Sequence, residues 1–466
     1  MSKNILHRFF YPRSVAIVGA SSNPTSNNFN MVKNLISLGY QGRIYPINPK
    51  EESINNIKCY KTVEEINDFI DLVVISVSVR NVLDVVKGLD GRKVGGVVIV
   101  TGGFSETGEK GQKLQAEIAG ILKQQGIRAT GPNALSPINS RNGFAICFTE
   151  VKRLPPGNVS FIFQSGMYEP RFNWIVSDFH LKIAKLIDLG NKMDLTEVDA
   201  LEYLMHDEDT EVLCIHLEAM KGGGRRFYQL LKEATKLKPV IILKGGRSEA
   251  GAKAAMSHTG SIARANDVVF DAAMKQAGVT RAETLDDFFY LAKAFSYLPL
   301  PRGNRIAVAT FPGGEAVLTT DACSQYGLVM AKPGHKSYER LKGSFPPWEI
   351  GLNPYDLGVV YPFHPLQNHH EAFVQTMAED ENVDCLALEL PSDLWPFKST
   401  DSCSKFTIAA ERGKPLAIWA LAMLKFNDEI TDYLEEHRMP VFPSAAITIK
   451  CLSALYNYSI WRGNTR

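Results

Sequence analysis

The chain has 466 residues, 45% of them hydrophobic and 22% charged, which is typical of a soluble globular protein with about two to four domains. Lys and Arg total 51 and Asp and Glu total 50, so the net charge of +1 excludes the basic surface of most nucleic-acid-binding proteins. Seven scattered cysteines without C-x-x-C spacing indicate reduced, mostly buried thiols. Residues 1–12 lack an apolar leader, and no run approaches the ~18 apolar residues of a membrane span. We therefore expect a cytoplasmic protein that binds neither nucleic acid nor a membrane, and we assign no metal site.

The first part of the chain alternates short Val- and Ile-rich runs with helix-like segments. Nearly continuous apolar runs separated by helices favour a parallel sheet covered on both faces. We predict strands at residues 15–18, 42–47, 71–77 and 94–100 and helices at residues 30–38, 79–89 and 109–125.

The same alternation returns twice. Residues 159–163, 212–217 and 239–243 form a second set of predicted strands, and residues 306–310, 383–388 and 415–419 a third. Residues 298–303 have the Pro- and Gly-rich composition of a linker. The fold class is therefore α/β with parallel sheets, in three domains at residues 1–150, 151–298 and 303–466.

Three turns of the first domain follow predicted strands and should meet at one sheet edge, where open α/β sheets bind ligands. They begin at Gly19, Thr101 and Thr130. The first turn lacks the G-x-G-x-x-G pattern of dinucleotide-binding proteins, although Gly19 and Ser21 could still contact a nucleotide phosphate. Gly19 is equally well explained as the residue that permits a tight turn.

Residues 257–261 read Ser-His-Thr-Gly-Ser and set one imidazole, that of His258, between hydroxyls and a glycine. A neutral imidazole can accept a phosphoryl group if a carboxylate orients its other nitrogen. A lone histidine is more often structural, so this hypothesis requires a partner. Glu218, which closes a predicted strand just before three glycines, is the candidate, and Glu197 and Asp199 rank lower because their segment resembles an exposed helix.

Two further strand-to-helix turns could hold an anion through main-chain N–H groups: Ser165-Gly166 and Gly313-Gly314. Arg171 either supplies positive charge to the first turn or is an ordinary surface residue. Glu315 favours a helix start but would repel a phosphate at the second turn.

Several short motifs occur in the order found in one known family, over nearly the whole chain. They lie at residues 15–21, 45–50, 131–133, 164–166, 189–192, 244–260 and 353–357. On these motifs the chain resembles the alpha subunits of ADP-forming acetyl-CoA synthetases, in the NDP-forming acyl-CoA synthetase superfamily that includes succinyl-CoA synthetase. The resemblance implies a CoA-binding Rossmann-like domain followed by two flavodoxin-like ligase domains.

The resemblance also implies an activity, the reversible interconversion of acyl-CoA plus phosphate with acid plus CoA through an acyl phosphate and a phosphohistidine. His258 then corresponds to the phosphorylated residue and Glu218 to the glutamate that orients it. The family's CoA contacts map onto Gly19, Ser21, Ser22, Asn48, Lys50, Val77, Thr101 and Asn133, and its phosphate and acyl contacts onto Ser165, Gly166, Arg171, Gly313 and Gly314.

This chain shows no ATP-grasp domain, so the resemblance implies a hetero-oligomer in which an ATP-grasp beta subunit binds ATP or ADP and Mg²⁺. CoA and a small carboxylic acid are the implied substrates.

The chain departs from the family pattern in four loops expected to face ligands. The departures are Asn27-Asn28, Ala134, the segment 167–171, and Phe311-Pro312 with Glu315. They are explained either by an active ligase with an altered acyl pocket or by a catalytically silent CoA-binding regulatory or scaffold protein. A third hypothesis, an NAD-linked oxidoreductase, explains the first sheet but not the histidine loop.

Overall fold

A computed structural model describes residues 5–251, 253, 267–311, 313–365, 368–391, 400–421 and 428–464. The chain divides into two compact units, residues 1–288 and 289–466, with the division inside one helix, Leu285–Tyr297. The predicted boundaries of three domains stay a prediction.

The first sheet of unit 1 has five parallel strands in the order β2-β1-β5-β6-β7. Every residue of β1, β5 and β6 is buried, as expected for Val- and Ile-rich strands covered by helices on both faces. The strands are β1 (Ser14–Val18), β2 (Arg43–Ile47), the separate hairpin β3 (Ser53–Ile54) and β4 (Ile57–Lys58), β5 (Leu72–Ile75), β6 (Gly96–Ile99) and β7 (Arg128–Thr130). The helices are α1 (Leu6–Phe10), α2 (Phe29–Ser37), α3 (Val79–Lys87) and α4 (Glu109–Gln124), with 3-10 turns at Val63–Glu65 and Ser105–Thr107.

The second sheet of unit 1 has seven strands in the order β14-β13-β12-β10-β11-β8-β9, parallel except at β8 and β9. The strands are β8 (Ile138–Asn139), β9 (Phe144–Ala145), β10 (Val159–Phe163), β11 (Ile183–Asp188), β12 (Val212–Leu217), β13 (Val240–Lys244) and β14 (Thr280–Ala282). The helices are a 3-10 turn at Gly166–Tyr168, α5 (Phe172–Ser177), α6 (Glu197–Leu204), α7 (Gly224–Leu237), α8 (Asp267–Gln276) and α9 (Leu285–Tyr297).

Spacing of apolar residues explains how the helices pack. The buried residues of α7 lie three or four positions apart, so they form one stripe against the sheet. They are Phe227, Leu230, Leu231 and Ala234. This stripe joins apolar side chains from both sheets in a single core, which explains why residues 1–288 form one unit.

Unit 2 is built on one parallel sheet in the order β16-β15-β18-β19-β20, with β17 also paired to β15. Its strands are β15 (Arg305–Thr310), β16 (Val329–Met330), β17 (Tyr355–Asp356), β18 (Cys385–Pro391), β19 (Leu416–Leu421) and β20 (Val441–Phe442). Its helices are α10 (Gly313–Gln325), α11 (His335–Leu341), α12 (Leu357–Val360), α13 (His369–Glu379), α14 (Ile408–Glu411), α15 (Asp428–Glu436) and α16 (Ala445–Asn464), with 3-10 turns at Lys342–Ser344 and Thr400–Thr407.

The predicted α/β class with parallel sheets is confirmed, and the predicted strands are found with ends shifted by a few residues. β11 and the antiparallel edge formed by β8 and β9 were not predicted from the sequence. All seven cysteines are buried and free, as expected. Within the described ranges, no helix is both long and apolar enough to cross a membrane.

Candidate active site

The predicted CoA-binding residues of the first sheet gather at one edge. Gly19, Asn48, Val77, Thr101 and Asn133 each follow one of the five parallel strands, so the structure brings them to the same side of the sheet. The turns at Gly19, Thr101 and Thr130 were predicted from the apolar runs that precede them, whereas Asn48 and Val77 were named only through the family resemblance.

The backbone conformation alone requires a glycine at position 19. Its φ of +93° lies in the region that favours glycine, and an added Cβ would be 2.2 Å from the carbonyl oxygen of Ser76. The close approach of β1 and β5 thus explains this glycine without any ligand.

Polar side chains brace the same edge. Asn48 Nδ2 donates to the carbonyl oxygen of Ala20 at 2.9 Å, and Thr101 Oγ1 donates to that of Val77 at 2.7 Å. Lys50 is exposed, and its N–H donates to Asn48 Oδ1 at 3.0 Å. These hydrogen bonds fix the loops at this edge of the sheet, so the backbone around Gly19 is already ordered before a ligand binds.

Ser21 and Ser22 lie in the loop after β1. The N–H of Ser22 donates to Glu51 Oε1 at 3.1 Å, and Ser21 Oγ accepts from the N–H of Asn23 at 3.1 Å. Glu51 thus places a carboxylate against one of the predicted phosphate contacts.

Asn28, one of the departures from the family pattern, has a structural role. Its Nδ2 donates to the carbonyl oxygens of Gly19 at 2.7 Å and Ser76 at 2.8 Å, and its Oδ1 accepts from Ser76 Oγ at 2.8 Å. The amide therefore ties together the ends of β1 and β5, and the departure keeps the turn intact.

The turn at residues 131–133 joins this edge to the second sheet. The N–H groups of Asn191 and Met193 donate to the carbonyl oxygens of Pro132 and Gly131, each at 2.9 Å. Asn133 is exposed with a φ of +61°. This turn and the segment after β11 form one hydrogen-bonded surface.

Glu218 directly follows β12, as predicted, and is half-buried. The N–H groups of Glu218 and Ala219 both donate to Gln164 Oε1, each at 3.0 Å. Gln164 follows β10, the neighbouring strand, so two strand ends cooperate to place this carboxylate.

Glu197 contradicts the expectation of an exposed helix. Its side chain is fully buried at the start of α6, where Oε2 pairs with Lys192 Nζ at 2.7 Å. The segment is helical, as expected, and Thr196 and Asp199 form a capping box at its start. Amphipathic spacing alone could not show that a glutamate in the first turn faces inward to a lysine.

The phosphate and acyl turn after β10 is closely packed. Ser165 Oγ accepts from the N–H of Met167 at 3.4 Å, and Gly166 begins a 3-10 turn. The ring of Tyr168 stacks on Phe163 with 3.6 Å between centroids, and it is 2% exposed. The cavity beneath Ser165 and Tyr168 measures about 10 Å³, room for about one water molecule.

Arg171 lies on the surface. Its side chain is exposed, and Nη1 donates to the carbonyl oxygen of Met167 at 2.8 Å. Of the two interpretations open from the sequence, this geometry favours the surface residue. Glu169 instead faces inward, where it accepts from Cys147 Sγ at 3.1 Å and from the N–H of Thr149.

Burial changes the titration of three groups near Glu218. Burial, together with the negative charge of Glu218, raises the pKa of Asp188 to about 7. Burial lowers the pKa of His216 to about 4, so this imidazole is neutral at physiological pH. Burial also lowers the pKa of Lys192, against the opposing effect of Glu197. Strongly perturbed groups that cluster at a sheet edge are typical of functional sites.

The turn in unit 2 has acidic neighbours. Gly313 and Gly314 begin α10, and an added Cβ at Gly313 would be 2.9 Å from Asp356 Oδ2. The N–H of Phe311 donates to Glu389 Oε2 at 2.7 Å, and burial together with the charge of Glu315 raises the pKa of Glu389 to about 7. The helix start is exposed, as an anion site requires, but carboxylates surround it.

His258 lies outside the described residues, together with the rest of the segment 254–266. The pairing of His258 with Glu218 therefore stays a prediction.

Sequence comparison identifies two known domains. The CoA binding domain family matches residues 13–138, and the succinyl-CoA ligase like flavodoxin domain family matches residues 156–295.

Several relatives that match nearly the whole chain are named as ADP-forming acetate–CoA ligases. The chain is 35% identical to the acetate–CoA ligase [ADP-forming] I subunit alpha of Pyrococcus furiosus, over 98% of each chain. It is 33% identical to acetate–CoA ligase [ADP-forming] II of Archaeoglobus fulgidus over 97% of its own length but 67% of that longer protein.

A solved structure with the same fold is the dinucleotide forming acetyl-coenzyme A synthetase 1 of Ca. Korarchaeum cryptofilum, in complex with phosphate and ADP. It superposes with a TM-score of 0.88 at 30% identity, covering 99% of this chain and 98% of that one. These relatives favour the enzyme over the catalytically silent paralogue. The chain belongs to the ADP-forming acetate–CoA ligase family, as a relative of its alpha subunits.

Proposed function

We propose that this chain carries the CoA-binding and phosphoryl-carrying half of an ADP-forming acid–CoA ligase. The observation that supports this most directly is the hydrogen-bonded contact between the turn at residues 131–133 and the segment after β11. It brings the predicted CoA edge next to the strand ends that place Glu218. Acyl transfer and phosphoryl transfer need such neighbouring sites, because the intermediate must pass from one to the other.

The proposed reaction has three steps. A phosphate oxygen attacks the thioester carbonyl of acyl-CoA, the C–S bond breaks, and the CoA thiolate leaves and takes up a proton. An imidazole nitrogen of His258 then attacks phosphorus, and the P–O bond to the acyl group breaks to release the carboxylate. Finally an oxygen of the ADP β-phosphate attacks phosphorus, the P–N bond breaks, and ATP forms. Each step is reversible.

Glu218 is proposed to accept a hydrogen bond from the second nitrogen of His258, so that the attacking nitrogen is unprotonated and the phosphorylated imidazolium is stabilised. Two features support this role. The carboxylate is half-buried, and it lies at a strand end braced by Gln164.

The last step requires a nucleotide site, which we propose lies on a separate ATP-grasp beta subunit that binds ADP or ATP with Mg²⁺. The Archaeoglobus relative is longer than this chain, which matches 67% of it, and the Pyrococcus relative is named as one subunit. Both facts fit a hetero-oligomer. Seven free, buried cysteines support a cytoplasmic location.

The acid is proposed to be small. Tyr168 stacks on Phe163 and occupies the space beside Ser165 that a long or aromatic acyl chain would need. Acetate, the acid in the names of several relatives, is the first substrate to test.

The test is phosphorylation of the full chain by acetyl-CoA and [³²P]phosphate. We expect acid-labile, base-stable label that disappears in His258→Ala and falls strongly in Glu218→Gln, with CoA affinity unchanged in both. His206→Ala, at an exposed histidine, is the matched control and should label normally. Full labelling of His258→Ala would overturn the assignment of the carrier.

A further inference from the structure

The loop at residues 218–222, here called the Glu218 loop, is held by buried charged side chains that take no direct part in the proposed reaction. We propose that Lys192 and Glu197 are positioning residues that fix the Glu218 loop against the turn at residues 131–133. The inference rests on the proposed function, since it assigns to this pair the placement of Glu218.

Glu197 binds the far end of the Glu218 loop. Its Oε1 accepts from the N–H groups of Lys221 at 2.8 Å and Gly222 at 2.9 Å. The contact is close, because an added Cβ at Gly222 would be 2.5 Å from Thr196 Oγ1. The loop therefore lies directly on the start of α6, where a carboxylate is also favoured by the helix dipole.

Lys192 binds the near end of the same loop. Its Nζ donates to the carbonyl oxygen of Ala219 at 2.7 Å, next to Glu218, and to Glu197 Oε2 at 2.7 Å. Lys192 has a φ of +54°, a left-handed conformation that is uncommon for residues other than glycine and asparagine. A lysine here is explained by its ammonium group, which spans the loop and the helix start.

The backbone beside Lys192 also contacts the predicted CoA edge. Asn191 and Met193, its two neighbours, donate their N–H groups to the turn at residues 131–133. Lys192 therefore connects that turn to the Glu218 loop through a single residue. Movement of either partner would change the distance between the CoA edge and the carboxylate.

Holding a loop with a buried ion pair has a high cost in desolvation free energy. The side chains of Lys192 and Glu197 are 1% and 0% exposed, and burial of two charges generally offsets most of their attraction. Apolar or neutral replacements of such pairs often fold well, whereas removal of one partner leaves a buried charge. Stability alone thus gives little reason for this pair, and placement of the loop gives a specific one.

The test uses the double variant K192M/E197Q, which removes both charges and keeps similar side-chain volumes. The matched control is K185M/D207N, which removes another buried lysine–carboxylate pair in unit 1, with 2.8 Å between Lys185 Nζ and the Asp207 carboxylate. Asp209, which also binds Lys185 at 2.9 Å, keeps Arg141 as a partner at 3.0 Å. Lys185 is 0% exposed and lies on β11, whereas Asp207 precedes β12 at the opposite edge of the sheet from Glu218.

We expect K192M/E197Q to bind CoA like the wild type while its rate of labelling by acetyl-CoA and [³²P]phosphate falls about 10- to 100-fold, because misplacement by about 1 Å has effects of that size. The loss should be in kcat and not in KM for acetyl-CoA. Hydrogen exchange should become faster at the amides of residues 219, 221 and 222. The control should retain the wild-type rate of labelling and exchange at these amides.

Three results overturn the inference. One is wild-type labelling by K192M/E197Q when Glu218→Gln is impaired, which leaves the proposed function standing. Another is an equal loss in K185M/D207N. The third is unchanged exchange of the loop amides, which does not depend on activity. If the wild type itself takes no label, the proposed function fails, and exchange still decides whether the pair holds the loop.

Discussion

Asp188 should make the stability of unit 1 fall as pH rises from about 4 to about 7. The residue ends β11, is 3% exposed, and accepts from the N–H groups of Leu135 at 3.1 Å and Gly190 at 3.0 Å. Burial and the charge of Glu218 nonetheless raise its pKa to about 7. The folded state therefore holds a proton that the unfolded state has lost.

The size of the effect follows from the two pKa values. An unfolded aspartate has a pKa of about 3.9, so the shift is about 3 pH units, or about 4 kcal/mol at 1.36 kcal/mol per unit. Because the folded state binds the proton more tightly, stability falls with rising pH between about 4 and 7 and is constant above. The penalty is about 1 to 2 kcal/mol at pH 5 and about 4 kcal/mol at pH 8.

Asp188→Asn removes this dependence, because an amide does not titrate in this range. The amide loses one hydrogen-bond acceptor, and this cost in stability is the same at every pH. The prediction therefore concerns only how the difference in stability between variant and wild type changes with pH. We expect the difference in melting temperature, variant minus wild type, to be about 5 °C larger at pH 8 than at pH 5. Glu218→Gln in the wild-type background should reduce the slope, since the charge of Glu218 contributes to the shift. A difference in melting temperature that is the same at both pH values would refute the reasoning.

Two further predictions concern the turn after β10. Tyr168→Ala should enlarge the cavity beside Ser165, because the stacked tyrosine ring fills that space in the wild type. With the partner subunit present, kcat/KM for branched and aromatic acids should therefore rise relative to kcat/KM for acetate. An unchanged profile would exclude this cavity as the acyl pocket. Arg171→Ala tests the two interpretations of that residue: a changed acid profile indicates a ligand contact, but its exposed side chain and its bond to Met167 lead us to expect no change.

The periodic parts of the fold could be predicted because local sequence determines them. Buried parallel strands such as β10 and β12 are nearly continuous apolar runs, each with a single polar residue, and their ends match the prediction. β11 was missed because Lys185 and Asp188 interrupt its apolar run, Ile183–Asp188. Both side chains are buried by partners distant in sequence, which no local pattern reveals.

The candidate site could likewise be predicted only where local sequence determines it. Glu218 could be selected because it follows a strand and precedes a glycine-rich turn. The carboxyl ends of parallel strands lie at the same edge of a sheet, so this position predicts the edge at which the carboxylate lies. Gln164, Lys192 and Glu197 could not be assigned roles in the same way, because their contacts with the Glu218 loop join three different strand ends. The available signals were the motifs at residues 164–166 and 189–192, which marked turns without showing what Gln164 and Lys192 contact.

Three residues that break local rules lie at one edge of the second sheet. Lys192 has a left-handed backbone, Asp188 is a buried carboxyl group, and His216 is a buried imidazole whose Nδ1 has no partner among the described residues. Strain and buried polar groups each cost about 1–3 kcal/mol, and proteins tolerate them chiefly where function requires them. A scaffold protein that only binds CoA would have no need of them beside Glu218, since the CoA edge is braced by ordinary amide and hydroxyl contacts. The position of these three residues around Glu218 therefore argues that this edge still performs chemistry, despite the altered turn at residues 167–171.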